Sequence, residues 1–126
     1  MPRLLAAARA YAMMASDKEK AWERRMAEYR VVAQGSASRR LLHRYLQRRR
    51  AEIGELRESL HRGDFEPIRR VGHNLFGSGA AYDLPRISTL GQRLERAAQR
   101  RQGAEIAALI MDLENFLNCI VLAPES

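Results

Sequence analysis

The sequence predicts an all-α fold: an antiparallel up-down-up-down four-helix bundle with an additional N-terminal helix. Three observations carry this expectation. Four long stretches repeat apolar residues three or four apart, the spacing of one helix face. Short turn signals built on Gly, Pro, Asp and Ser separate them, and short connections make successive helices reverse direction. No stretch alternates apolar and polar residues as a half-buried strand does, and no internal repeat or low-complexity linker is present.

Met1 to Ala15 is Ala-rich and mildly apolar, is interrupted by Arg9, and is too short to span a bilayer. It reads as a tail or an extra amphipathic helix, without a convincing signal-peptide cleavage pattern. The domain proper is expected over 16–122, followed by a short tail at 123–126. Ser16-Asp17-Lys18-Glu19 has the capping-box pattern, with Ser16 at the N-cap and Glu19 three residues on. The helix it opens is expected to run to Val32, with Trp22, Met26 and Tyr29 packed against the bundle.

Gly35 can close that helix, and Ser36 or Ser38 can cap the next. The second helix is expected from Ser38 to Arg62, with Leu42, Leu46, Ile53, Leu56 and Leu60 on one side. Its other faces carry Arg39, Arg40, Arg44, Arg48, Arg49, Arg50 and Arg57 against Glu52, Glu55 and Glu58. They form either a solvated face or a basic docking surface. Gly63 is expected just past the helix end and Asp64 at the next N-cap. Pro67 then falls in a first turn, where no intrahelical bond is lost.

The third helix holds the chemistry and is expected to end near Tyr82. Ile68, Val71, Leu75, Gly79 and Tyr82 share its inward stripe. At roughly 100° per residue, His73 lies about 200° from Leu75 and points outward. Gly77 stands one turn above the ring and leaves bare backbone beside it. Gly72, Gly77 and Gly79 each cost about 0.8–1 kcal/mol relative to alanine, which a helix carries for close approach of a neighbour or partner. Asp83-Leu84-Pro85 breaks the helix. The fourth helix is expected from Pro85 to Arg101, with Ile87, Leu90, Leu94 and Ala98 inward. After a Gln102-Gly103 turn, the last runs from Ala104 to Val121, with Ile106, Leu109, Ile110, Leu113, Phe116, Leu117 and Ile120 inward.

The stretch from His73 to Tyr82 resembles the signature of histidine phosphotransfer domains of two-component phosphorelays. His73, Leu75, Gly77, Ser78, Gly79, Ala80, Ala81 and Leu84 match the pattern, and Gly63-Asp64-Phe65-Glu66 upstream is similar to the family phrase. Phe76 stands where the family usually has Lys, and Asp83 where it usually has Gly. The resemblance spans about Leu41 to Leu117. It implies that His73 is a phosphoacceptor, carrying a phosphoryl group between receiver-domain aspartates. In the family a Gln on the next helix orients the ring; Glu95 is the corresponding residue here, with an ion pair to Arg96 or Arg100 as its alternative role. Arg69 and Arg70, one turn before His73, can supply the cation that Phe76 cannot, or can be simply solvated. Phe76, Gly77 and Ala80 are the expected partner-facing positions.

The chain has 126 residues, enough for one domain and one modest core, and 46% of them are hydrophobic. Its single cysteine, Cys119, lies in an apolar run and is expected to be a buried small hydrophobe in a reducing cytoplasm. The net charge is +7, and Lys18 and Lys20 are the only lysines among 22 basic residues. That charge suits an acidic partner such as a receiver domain, with a hybrid sensor kinase as a further partner. His43 and His61 have no metal-ligand spacing with each other or with His73. No Gly-rich nucleotide loop, kinase Lys–Glu pair or Mg²⁺ carboxylate cluster is evident, so no cofactor of its own is expected, and the resemblance places Mg²⁺ on the receiver. Two further classes remain: a docking module of the same fold without phosphoryl carriage, and a nucleic-acid adaptor. The second lacks any helix-turn-helix phrase, aromatic RNA-binding motif or zinc spacing.

Overall fold

A computed structural model describes residues 30–31 and 35–122. The tail at 1–15, the capping box at Ser16, the Trp22, Met26 and Tyr29 face, and the tail at 123–126 lie outside the described residues. Within them the chain forms β1 (Arg30–Val31), α1 (Gly35–His61), α2 (Phe65–Gly79), a 3₁₀ turn (Ala80–Tyr82), α3 (Pro85–Gln99), α4 (Gly103–Cys119) and β2 (Val121–Leu122). Each helix packs on its sequence neighbours, and α1 closes the ring on α4. The α2–α3 contact is the most extensive.

The apolar stripes explain this packing. Leu42, Leu46, Ile53 and Leu56 of α1, Ile68 and Leu75 of α2, Ile87, Leu90 and Leu94 of α3, six expected positions of α4, and Ile120 just past its end are buried. Leu60, Val71 and Tyr82 are half-buried against the same core. Tyr45 joins it from the α1 stripe: its ring stacks on Tyr82 with centroids 4.0 Å apart, and its hydroxyl hydrogen-bonds Ser78 Oγ at 2.7 Å.

Three helix ends share one device. Gly63, Asp83 and Arg101 all take left-handed backbone, with φ of 68°, 58° and 53°. In each case the next residue's N–H reaches back five residues: Asp64 to Ser59, Leu84 to Gly79, and Gln102 to Ala97. These are Schellman caps, which satisfy carbonyls that the helix leaves open. Gly63 does this as expected. Arg101, expected inside the fourth helix, instead lies beyond its end.

Several expectations are corrected. Gly35 does not close a helix; it is the first residue of α1. Arg30 and Val31, expected at the end of a helix, instead form β1 and pair in parallel with Val121 and Leu122. The last helix accordingly stops at Cys119. β-branched Val31 and Val121 favour extended backbone, and two paired residues are too few to show alternation in sequence. Asp64 has N-cap backbone but makes no side-chain cap bond. Glu52, expected on a face that is either solvated or a docking surface, is buried against Arg49. Cys119 is half-buried rather than buried.

Candidate functional site

Helix α2 buries Ile68, Gly72, Leu75 and Gly79. The turn of the helix therefore leaves His73, Phe76, Gly77 and Ala80 exposed. The His73 side chain is 66% exposed.

The neighbouring helix reaches the ring because two glycines let the backbones meet. A Cβ on Gly72 would lie 2.6 Å from Glu95 N and 2.8 Å from Gly91 O. One on Gly91 would lie 2.6 Å from Phe76 N and 2.7 Å from Gly72 O. Gly79 is equally tight against Ser88. This seats Glu95 beside the imidazole. His73 Nδ1 is 3.3 Å from Glu95 Oε1 and 3.4 Å from Oε2, with the Glu95 side chain 19% exposed. The contact is long for a hydrogen bond, as is common at sites that tighten only with a partner bound. An ionised carboxylate only accepts, so the contact suits a ring with its proton on Nδ1. Nε2, on the far edge of the ring, then keeps its lone pair. Arg96 and Arg100 make no ion pair with Glu95 among the described residues.

A solvent-facing imidazole met at one ring nitrogen by a side chain from the next helix fits the sequence resemblance, with Glu95 in the place where that family commonly has Gln. The family model described as "Hpt domain" matches residues 40–119. The chain belongs to the Hpt domain family. No curated protein and no solved structure matched it significantly.

Hpt domains are phosphocarrier modules of phosphorelays rather than catalysts, and they interact there with receiver domains and kinases. The matched region includes His73 and Glu95. Within it, the other expected site residues have separate surroundings. Arg69 is paired in bidentate fashion with Glu66, at 3.0 and 2.6 Å. That hydrogen bond, and then the Arg69 charge, hold the Glu66 carboxyl below its ordinary range. Arg70 is exposed. Phe76 is 44% exposed, large for an aromatic side chain. A Cβ on Gly77 would meet nothing within 4 Å, so the helix surface one turn beyond His73 is open. Ala80 is exposed, and its N–H donates to Ser88 Oγ at 2.9 Å.

Sequence reasoning passed over Gly91, the reciprocal half of the helix crossing. Its signal was a glycine inside a strongly amphipathic helix, a cost of about 1 kcal/mol with no local explanation. The arginine-rich face of α1 is also partly spent on the fold. Arg57 makes a bidentate pair with Glu114 of α4 at 2.9 and 2.7 Å, and Arg50 donates to the Leu117 carbonyl at 3.1 Å. No helix among the described residues is long and apolar enough to cross a membrane. No group of three or more His, Cys, Asp or Glu among them could hold a metal ion.

Proposed function

We propose that this Hpt protein carries a phosphoryl group on His73 between receiver-domain aspartates of a phosphorelay. The observation that carries the reading is the exposed His73 ring with Glu95 at Nδ1 and open backbone at Gly77 beside it. In the forward step the Nε2 lone pair attacks the phosphorus of an aspartyl phosphate. The P–N bond forms as the P–O bond breaks, and the aspartate leaves as a carboxylate. Glu95 holds the Nδ1 proton throughout and stabilises the positive charge that the ring gains. The second receiver reverses these changes. Mg²⁺ and the aspartates belong to the receivers, so the domain supplies a nucleophile and a docking face and no ATP chemistry. The net charge of +7 favours an acidic receiver surface and speeds encounter. A cytoplasmic location follows from such partners.

Phe76 supports a second reading, a docking module without carriage, because an exposed aromatic in the usual Lys position offers a partner an apolar anchor. The deciding experiment charges a panel of receiver domains with a small phosphodonor and Mg²⁺, then adds this protein. Acid-labile, base-stable phosphate on the wild type and none on His73→Gln is the expected result. A receiver that binds without transferring would establish the docking module instead.

A further inference from the structure

Glu66, Arg69 and His73 follow one another along one stripe of α2, at spacings of three and four residues. Arg69 Nε donates to Glu66 Oε2 and Nη2 to Oε1, so one edge of the guanidinium is fully taken by the carboxylate. The Glu66 side chain is 59% exposed and that of Arg69 35%, so this is a surface pair that opens without unpacking the core. Helical side chains lean toward the N-terminus, which lays the His73 ring over the turn that carries Arg69. Arg69 is held above the ordinary arginine range, first by its hydrogen bond to Glu66 and to a smaller extent by the charge of Glu95. Arg69 is thus tied to Glu66 one turn before His73, and close enough to feel the charge of the Glu95 carboxylate that also meets the ring.

We propose that Glu66 is a positioning residue that holds Arg69 back while His73 is bare, and that a phosphoryl group on His73 draws the guanidinium across. The inference rests on the phosphocarrier reading of His73. A guanidinium fork fits phosphate oxygens as well as it fits a carboxylate, and the phosphoryl group carries the greater charge. The exchange makes and breaks hydrogen bonds only. With Phe76 where a lysine would otherwise stand, Arg69 supplies the cation, and its Nε–Nη2 edge becomes free for a two-point contact only after the Glu66 pair opens. Glu66 thereby lowers the amount of phospho-His73 reached at a given donor strength.

Phosphoramidate tests this without a receiver. Nε2 attacks its phosphorus, the donor P–N bond breaks, and ammonia leaves. NMR reads the Arg69 Nε–H resonance and the label at each histidine, with exposed His43 and His61 on α1 as internal references for donor strength. The Arg69 resonance is expected to shift on phosphorylation of the wild type and to stay put in His73→Gln. Glu66→Gln is expected to raise phospho-His73 roughly two- to fivefold, the range of an exposed ion pair. That gain is expected to vanish in the Glu66→Gln, Arg69→Gln double variant. An unmoved Arg69 resonance, or a gain that survives without Arg69, overturns the exchange while leaving His73 an acceptor. No label at His73 overturns both the exchange and the carrier reading.

Discussion

The Cβ that Gly72 lacks would fall 2.6 Å from the backbone nitrogen of Glu95, so α2 rests directly on the residue that faces His73. Packing and chemistry meet at that contact. The atoms a side chain would strike belong to backbone, which cannot rotate away. The helix crossing and the position of the Glu95 carboxylate are therefore set together.

Gly72→Ala should destabilise the fold by about 1–3 kcal/mol, because overpacking outweighs the gain of about 1 kcal/mol in helix propensity. It should also widen the His73–Glu95 separation and slow phosphoryl acceptance in the fraction that remains folded. Urea unfolding and the transfer assay check both effects, and an unchanged midpoint would contradict the crossing geometry.

Gly77 predicts the opposite. A Cβ there meets nothing, so Gly77→Ala should stabilise α2 by about 0.5–1 kcal/mol and leave acceptance from a chemical donor unchanged. Gly77→Leu should keep the fold yet slow transfer from a receiver, because the longer side chain covers the ring. Equal transfer rates for Leu and Ala would show that no partner approaches this face.

Phe76 is exposed on the same face as His73. Phe76→Lys should maintain or speed transfer by adding a cation near the phosphoryl position, with stability altered by no more than about 0.5 kcal/mol. A large loss of transfer or of receiver affinity, measured by titration calorimetry, would identify the aromatic ring itself as the contact.

Glu52 links stability to pH. Burial pushes its carboxyl above the ordinary value of 4.5, against the lowering pull of Arg49. The folded chain thus holds this proton more tightly than the unfolded chain does. The stabilising contribution is complete below the ordinary glutamate range and is lost as pH rises through the elevated value. Glu52→Gln cannot ionise, so its unfolding midpoint should gain on the wild type between acid and neutral pH. A difference that moved the other way would mean that the Arg49 pair dominates burial.

The fold was legible wherever one face of a helix meets the core. Leu94 and Phe116 could be placed from spacing alone, because their burial depends on the helix period and little else. Boundaries were less legible. Arg101 in left-handed backbone gives no compositional signal, unlike Gly63, and the β1–β2 pair joins two segments far apart in sequence, Arg30 with Val121 and Val31 with Leu122. Glu52 looked solvated because its helix is crowded with charge, and only the neighbouring packing shows that it is covered.

The candidate site divides along the same line. Helix period and residue type alone place His73 outward, leave the backbone at Gly77 bare, and mark Gly72, Gly77 and Gly79 for close approach of a neighbour or partner. These properties belong to one helix and follow from its period. The folded molecule adds that Gly91 is the other half of that approach, that Glu95, already named by the resemblance, lies at Nδ1 rather than in a pair with Arg96 or Arg100, and that Glu66 already occupies Arg69. Each of these depends on the crossing of α2 and α3 or on a choice among competing rotamers, and a linear pattern of residue types records neither.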